Sequence, residues 1–209
     1  MTDHNHYGGD PESLLSVSYP NAQLSDLVLT IENRRRLWNV VMEQRQWDKI
    51  TFHGLQPVRR LLFTGPPGTG KTSTAQALAG ELGVPLYTVR LDLLTTHPKD
   101  EGEAEFRQVL DTLRQTYGVF VFDGMAEFTE ENRWILVMLQ QFLMQDTSKS
   151  VIIVASNRPR LLDGVIFEQC DRIVNFGLPT SDEVRAIIEG QLAMFDLRNI
   201  SWASVLTAA

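Results

Sequence analysis

The sequence predicts an α/β fold, a parallel sheet with helices on both faces. Three observations carry this. From residue 59 onward, short apolar runs alternate with helical stretches. Two of those runs, Val119-Phe120-Val121-Phe122 and Val151-Ile152-Ile153-Val154-Ala155, are apolar without interruption, as strands covered on both faces must be. A third run, Arg59 to Thr64, opens into a Gly/Pro-rich turn and then a helix.

In chain order, residues 1–20 are rich in His, Asn, Gly, Asp, Pro and Ser and read as a disordered tail, with His4 and His6 solvated rather than sharing a metal. Residues 21–58 form an N-terminal linker and helix. Leu24 to Leu29 is short and apolar, and Thr30 is placed to cap a helix from about Ile31 to Lys49, with Leu37, Val40, Val41 and Ile50 near helical spacing. Gly54 and Pro57 end it. Residues 59–178 form the core. After the first strand comes a helix with Ala75, Leu78, Ala79 and Leu82 on one face. A strand over Pro85 to Leu91 follows, then the polar stretch Thr95 to Glu103 and a helix from about Ala104 to Tyr117. The two buried strands flank a helix from about Glu130 to Met144, and Ile173 to Phe176 is a fifth strand. Residues 179–209 begin with a helix from Ser181 to Phe195.

Composition excludes several classes of protein. The 209 residues are 43% hydrophobic and 22% charged, ordinary for a domain with a sizeable core. The net charge of −7 argues against broad nucleic-acid or membrane-surface binding, which needs a basic field. The single cysteine, Cys170, cannot form an internal disulfide and reads as a packed thiol. With no apolar run of membrane-spanning length and an acidic, polar N-terminus, the expected location is cytoplasmic.

The strongest motif is Gly65-Pro66-Pro67-Gly68-Thr69-Gly70-Lys71-Thr72, which fits G-x-x-x-x-G-K-[ST] in full between a strand and a helix. Glycines at these points let successive N–H groups face the same phosphates, and the helix that continues through Ser73 adds its N-terminal partial charge. Lys71 is placed to reach the β- and γ-phosphates, and the Thr72 hydroxyl to ligate Mg²⁺. A second acid is needed at the end of a neighbouring strand, and Asp123 follows Phe122 in that place.

These residues resemble the AAA+ ATPases. GPPGTGKT is the form of the loop common there, and KTSTAQALAGELGVPLYTVRLD resembles one branch of bacterial AAA-type ATP-binding proteins. The resemblance runs from about Leu24 to the C-terminus. It implies a P-loop AAA+ three-layer sandwich with a five-stranded parallel sheet, ATP with Mg²⁺ as the bound nucleotide, and an assembly with nucleotide at subunit interfaces. It places Leu27 and Val28 at the adenine pocket, although the residues by themselves fit ordinary core positions equally well. It places Asn157, which follows the strand VIIVAS, at the sensor that helps position the attacking water. Lys71, Asp123 and Asn157 thus form the expected catalytic set.

The match stops at the catalytic accessories. The family usually follows the Mg²⁺ acid with a Glu that polarises water; here Gly124 follows Asp123, and Glu127 lies three residues further on. The branch commonly carries arginines in a pattern like LLD-x-x-x-F-R-R-F-D, and this chain has Glu168 and Gln169 at those places, with Arg172 nearby. The substrate-gripping loop corresponds to residues 96–102, which contain no Phe, Tyr or Trp. LPTSDEVRAIIEGQL looks like the start of a helical lid, which is incomplete where the sequence ends. The expectation is therefore an ATP-binding protein with weak or no intrinsic hydrolysis. It would serve as a MgATP-dependent switch or as a subunit of a homo- or hetero-oligomer, with a protein partner and no membrane or nucleic acid. The alternative is an active AAA+ ATPase that remodels a protein partner.

Overall fold

The computed structural model describes residues 13–124, 130–158, 164–192 and 202. Its six-stranded sheet runs in the order β1-β3-β4-β5-β2-β6. These strands are β1 (Leu15–Ser18), β2 (Arg60–Thr64), β3 (Leu86–Arg90), β4 (Val119–Asp123), β5 (Val151–Ser156) and β6 (Arg172–Asn175). The helices are α1 (Ile31–Arg45), α2 (Trp47–Phe52), α3 (Lys71–Leu82), α4 (Leu91–Leu94), α5 (Lys99–Arg114), α6 (Arg133–Gln145), α7 (Gly164–Gln169) and α8 (Ser181–Gln191).

The five parallel strands are those expected from the sequence. The sixth is a correction: Leu15–Ser18, placed within a disordered tail at residues 1–20, pairs antiparallel with β3, Leu15 opposite Val89 and Ser18 opposite Leu86. The partner is the edge of β3, a tertiary contact that four residues of weak pattern cannot announce. Two boundaries also move. α5 starts at Lys99, not near Ala104, with Asp100 and Glu101 in its first turn, where acids complement the helix dipole. The first long helix divides at Gln46 into α1 and α2. The Thr30 cap forms as expected, its side chain accepting the Asn33 N–H at 3.2 Å.

Strand periodicity divides the core into two. Leu62, Phe120, Phe122, Ile152 and Val154 point to one face and pack with Phe106, Leu110 and Leu113 of α5 and Ile135, Leu139, Phe142 and Leu143 of α6. Leu61, Phe63, Val119, Val121, Ile153 and Val174 point to the other and meet Leu37, Val40 and Val41 of α1 and Ala75, Leu78 and Ala79 of α3. The small alanines on α3 let that helix lie close to the sheet and hold the turn before it against the strand ends. A buried ion pair, Arg59 with Asp146, ties the start of β2 to the end of α6. By contrast, α8 has no buried residue. Among the described residues no helix is long and apolar enough to cross a membrane.

Candidate functional site

The C-terminal ends of β2, β4 and β5 converge on the loop 65–70. The loop is built by backbone conformations that suit glycine. Gly68 and Gly70 have φ of 75° and 92°. At Gly65 a Cβ would sit 2.0 Å from the Phe176 carbonyl oxygen, so the close approach of the chain just after β6 excludes any side chain there. Gly65 N–H donates to Ser156 O at 3.2 Å, fastening the loop to the end of β5.

Lys71 opens α3 and is buried. Its Nζ folds back to donate to the Gly65 and Pro66 carbonyls, both at 2.7 Å. Burial lowers the Lys71 pKa below the ordinary lysine value, and the Asp123 charge partly offsets this. Thr72 Oγ1 donates to Asp123 Oδ2 at 3.2 Å, so the hydroxyl and the acid meet across the end of β5. Asp123 Oδ1 accepts the Gly124 N–H at 2.8 Å. Asn157 follows Ser156, which pairs with Thr64 in the register of β5 and β2, and so stands beside the first residue of the loop. Ser73 is exposed on the first turn of α3.

A cavity of about 730 Å³ adjoins the loop. Leu27, Val28, Gly68, Thr69, Gly70 and Ser73 line it, with Phe176 and Ile187. The volume lies within the range of small-molecule sites. Leu27 and Val28 both border this space; Leu27 also packs against the core on the α1 and α3 side, whereas Val28 is 37% exposed. Two residues overlooked in the sequence shape this wall. Arg34 of α1 donates to the carbonyls of Leu24 at 3.2 Å and Leu27 at 2.9 Å. Glu81 of α3 accepts the Leu24 N–H at 3.3 Å. Neither sits in a motif, and only tertiary placement reveals them.

Gly124 has a φ of +84°. A Cβ added there would lie 2.7 Å from Asp92 Oδ1 and 2.8 Å from Asp92 N. The position is thus closed to a side chain by both backbone and neighbour. Glu168 and Gln169 lie on α7. Arg172 is turned onto α1, donating to Arg36 O at 3.2 Å and standing 3.8 Å from Glu43. It is thus engaged with α1 of its own chain. Glu127, Arg160, the Leu161-Leu162-Asp163 run, residues 1–12 with His4 and His6, and the chain after Leu192 except Trp202 lie outside the described residues.

Residues 61–178 match the family described as ATPase family associated with various cellular activities (AAA). The chain belongs to that family. It is 33% identical over 169 residues to an uncharacterised AAA family ATPase, y4kL, of Sinorhizobium fredii, covering 77% of this chain and 51% of that protein. It is 28% identical over 196 residues to the ATP-dependent zinc metalloprotease FtsH 3 of Sphaerobacter thermophilus, covering 86% of this chain and 40% of that one. It is 36% identical over 129 residues to the ribosome biogenesis ATPase RIX7 of Saccharomyces cerevisiae, covering 54% of this chain and 15% of that one. The chain spans about half the length, or less, of these curated relatives.

Proposed function

We propose that this AAA chain binds MgATP and turns it over slowly, or only with a partner's help, and serves as a nucleotide-dependent switch or as a subunit of an assembly. The observation that supports the reading is the set of groups gathered at the loop, together with the residue that follows Asp123. The glycine loop, Lys71, and Thr72 at 3.2 Å from Asp123 form one continuous site, and the next residue is a side-chain-free Gly124.

Lys71 would exchange its two carbonyl partners for phosphate oxygens. Thr72 and Asp123 present hard oxygen donors of the kind magnesium takes, usually with retained waters. When bound, the metal would neutralise charge on the β- and γ-phosphates. Leu27 and Val28, opposite the phosphate loop in the cavity, would form the base-side wall, and Asn157 would face the terminal phosphate. An arginine finger contributes about 10³–10⁵ in rate. A positioned base contributes about 10²–10⁴. Such groups act as a unit, so losing either removes much of the acceleration. Ground-state binding does not depend on them.

The alternative, an active ATPase that remodels a protein partner, draws support from relatives named as an ATP-dependent protease and a ribosome biogenesis ATPase. The absence of Phe, Tyr and Trp across 96–102 weighs against threading of a polypeptide. Calorimetric titration with MgATP and with ADP, coupled to particle mass and phosphate release, separates the two. The proposal expects binding that Lys71→Ala abolishes, slow release, and a nucleotide-dependent change in mass. Release at several per second by the isolated chain, lost in Lys71→Ala, would overturn it.

A further inference from the structure

We propose that Asp92 is the second carboxylate of this site, holding the attacking water where position 124 has no side chain to do so. The inference rests on the nucleotide reading above. The register of β3 and β4 sets Arg90 opposite Asp123. After Arg90 the chain turns into α4, whose second residue is Asp92. This brings Asp92 Oδ1 to 2.7 Å from where a Gly124 Cβ would be. A carboxylate oxygen therefore occupies the space from which a residue-124 side chain would start, directly after the acid that meets Thr72. The carboxylate reaches the position after Asp123 from a neighbouring strand end instead of from β4.

Two further features suit the role. The Asp92 side chain is half exposed, so water reaches it. Arg90 Nη2 donates to Asp92 Oδ2 at 3.0 Å, which fixes the carboxylate with Oδ1 turned towards Gly124. In the step, Asp92 accepts a hydrogen bond from water as the water oxygen bonds to the γ-phosphorus. The bond from that phosphorus to the bridging oxygen breaks, and ADP leaves with the electron pair. The water proton passes through the carboxylate to the product phosphate or to solvent. Asp92 is shorter than glutamate and comes from another element, which fits a slow reaction rather than none.

The test uses the full chain with MgATP, measuring phosphate release and, separately, nucleotide affinity. Asp92→Ala and Asp92→Asn should lower release at least about tenfold, the low end for a positioned base being about a hundredfold, with MgATP affinity unchanged. Asp92→Glu should keep part of the rate. Sodium formate, against sodium chloride at equal ionic strength, should partly restore Asp92→Ala, which a purely structural aspartate would not allow. Near-isosteric Asp92→Asn guards against a folding defect in the alanine variant. Wild-type release no greater than that of Lys71→Ala, unchanged release in both Asp92 variants, or loss that neither Asp92→Glu nor formate relieves would each overturn the proposal. Failure of the wild type to bind MgATP overturns the nucleotide reading itself, whereas intact binding with Asp92-independent release overturns only this inference.

Discussion

Gly124→Glu places a carboxylate where AAA+ relatives usually carry their water-polarising glutamate, and motif reasoning alone expects it to raise turnover. The structure predicts the opposite. At a φ of +84° a non-glycine residue is in the left-handed region, at a cost of about 1–2 kcal/mol. Its Cβ would also press on Asp92 N at 2.8 Å and Asp92 Cβ at 3.0 Å. Relieving such overpacking costs about 1–3 kcal/mol. The sum of ~2–5 kcal/mol is a large share of a typical domain stability of about 5–15 kcal/mol. At about 2–4 °C per kcal/mol for a chain of this size, Tm should fall by ~4–20 °C. Thermal and urea unfolding of Gly124→Glu and Gly124→Ala measure this, since alanine carries the backbone and Cβ penalties without the charge. Phosphate release from the same samples should not rise. A Gly124→Glu protein that melts with the wild type and hydrolyses about a hundredfold faster would refute the reasoning.

Four further outcomes are expected. Asp146→Ala leaves the Arg59 guanidinium, 11% exposed, without its carboxylate; urea unfolding should show a loss of about 3–5 kcal/mol. Arg34→Ala releases the Leu24 and Leu27 carbonyls, so ADP affinity should fall about tenfold, ~1.4 kcal/mol, while tripolyphosphate affinity stays constant; equal loss for both ligands would detach Arg34 from the base-side wall. Burial and the neighbouring Asp171 push the Cys170 thiol to about 12, against a small opposing effect of Arg60, so native protein at pH 8 should react with thiol reagents orders of magnitude more slowly than urea-unfolded protein. Burial raises the Asp171 carboxyl, but the Arg60 and Arg59 N–H groups and the Arg60 guanidinium outweigh it and hold it below its ordinary 3.8. Its stabilisation is thus present above that value and lost as pH falls through the lower folded value; Asp171→Asn should flatten the acid limb of a urea-midpoint profile taken from about pH 6 to pH 2.

Much of this fold is legible because its signals are local. The period-2 alternation inside the strands places Leu61 and Leu62 on opposite faces before any tertiary contact is considered, and Thr30 names the start of α1. The loop 65–72 is legible for a similar reason, since its chemistry is written in consecutive residues. What escapes is whatever depends on distant parts of the chain meeting. Four residues at Leu15–Ser18 become a strand only because β3 offers an edge. Asp92 gains its place only through the register of β3 and β4. Gly124 reads in sequence as a missing side chain, whereas in space it is a position already filled by Asp92.

The two walls of the cavity are held very differently. Leu24 and Leu27 are pinned by Arg34 and Glu81, while α8 on the far side contributes no buried residue. The bite is therefore that of a vice with one fixed jaw. Capturing a guest requires little fresh ordering of the pinned side, where each residue immobilised would otherwise cost about 1–2 kcal/mol. Whatever adjustment a guest demands falls to α8, whose described side chains are all at least partly exposed.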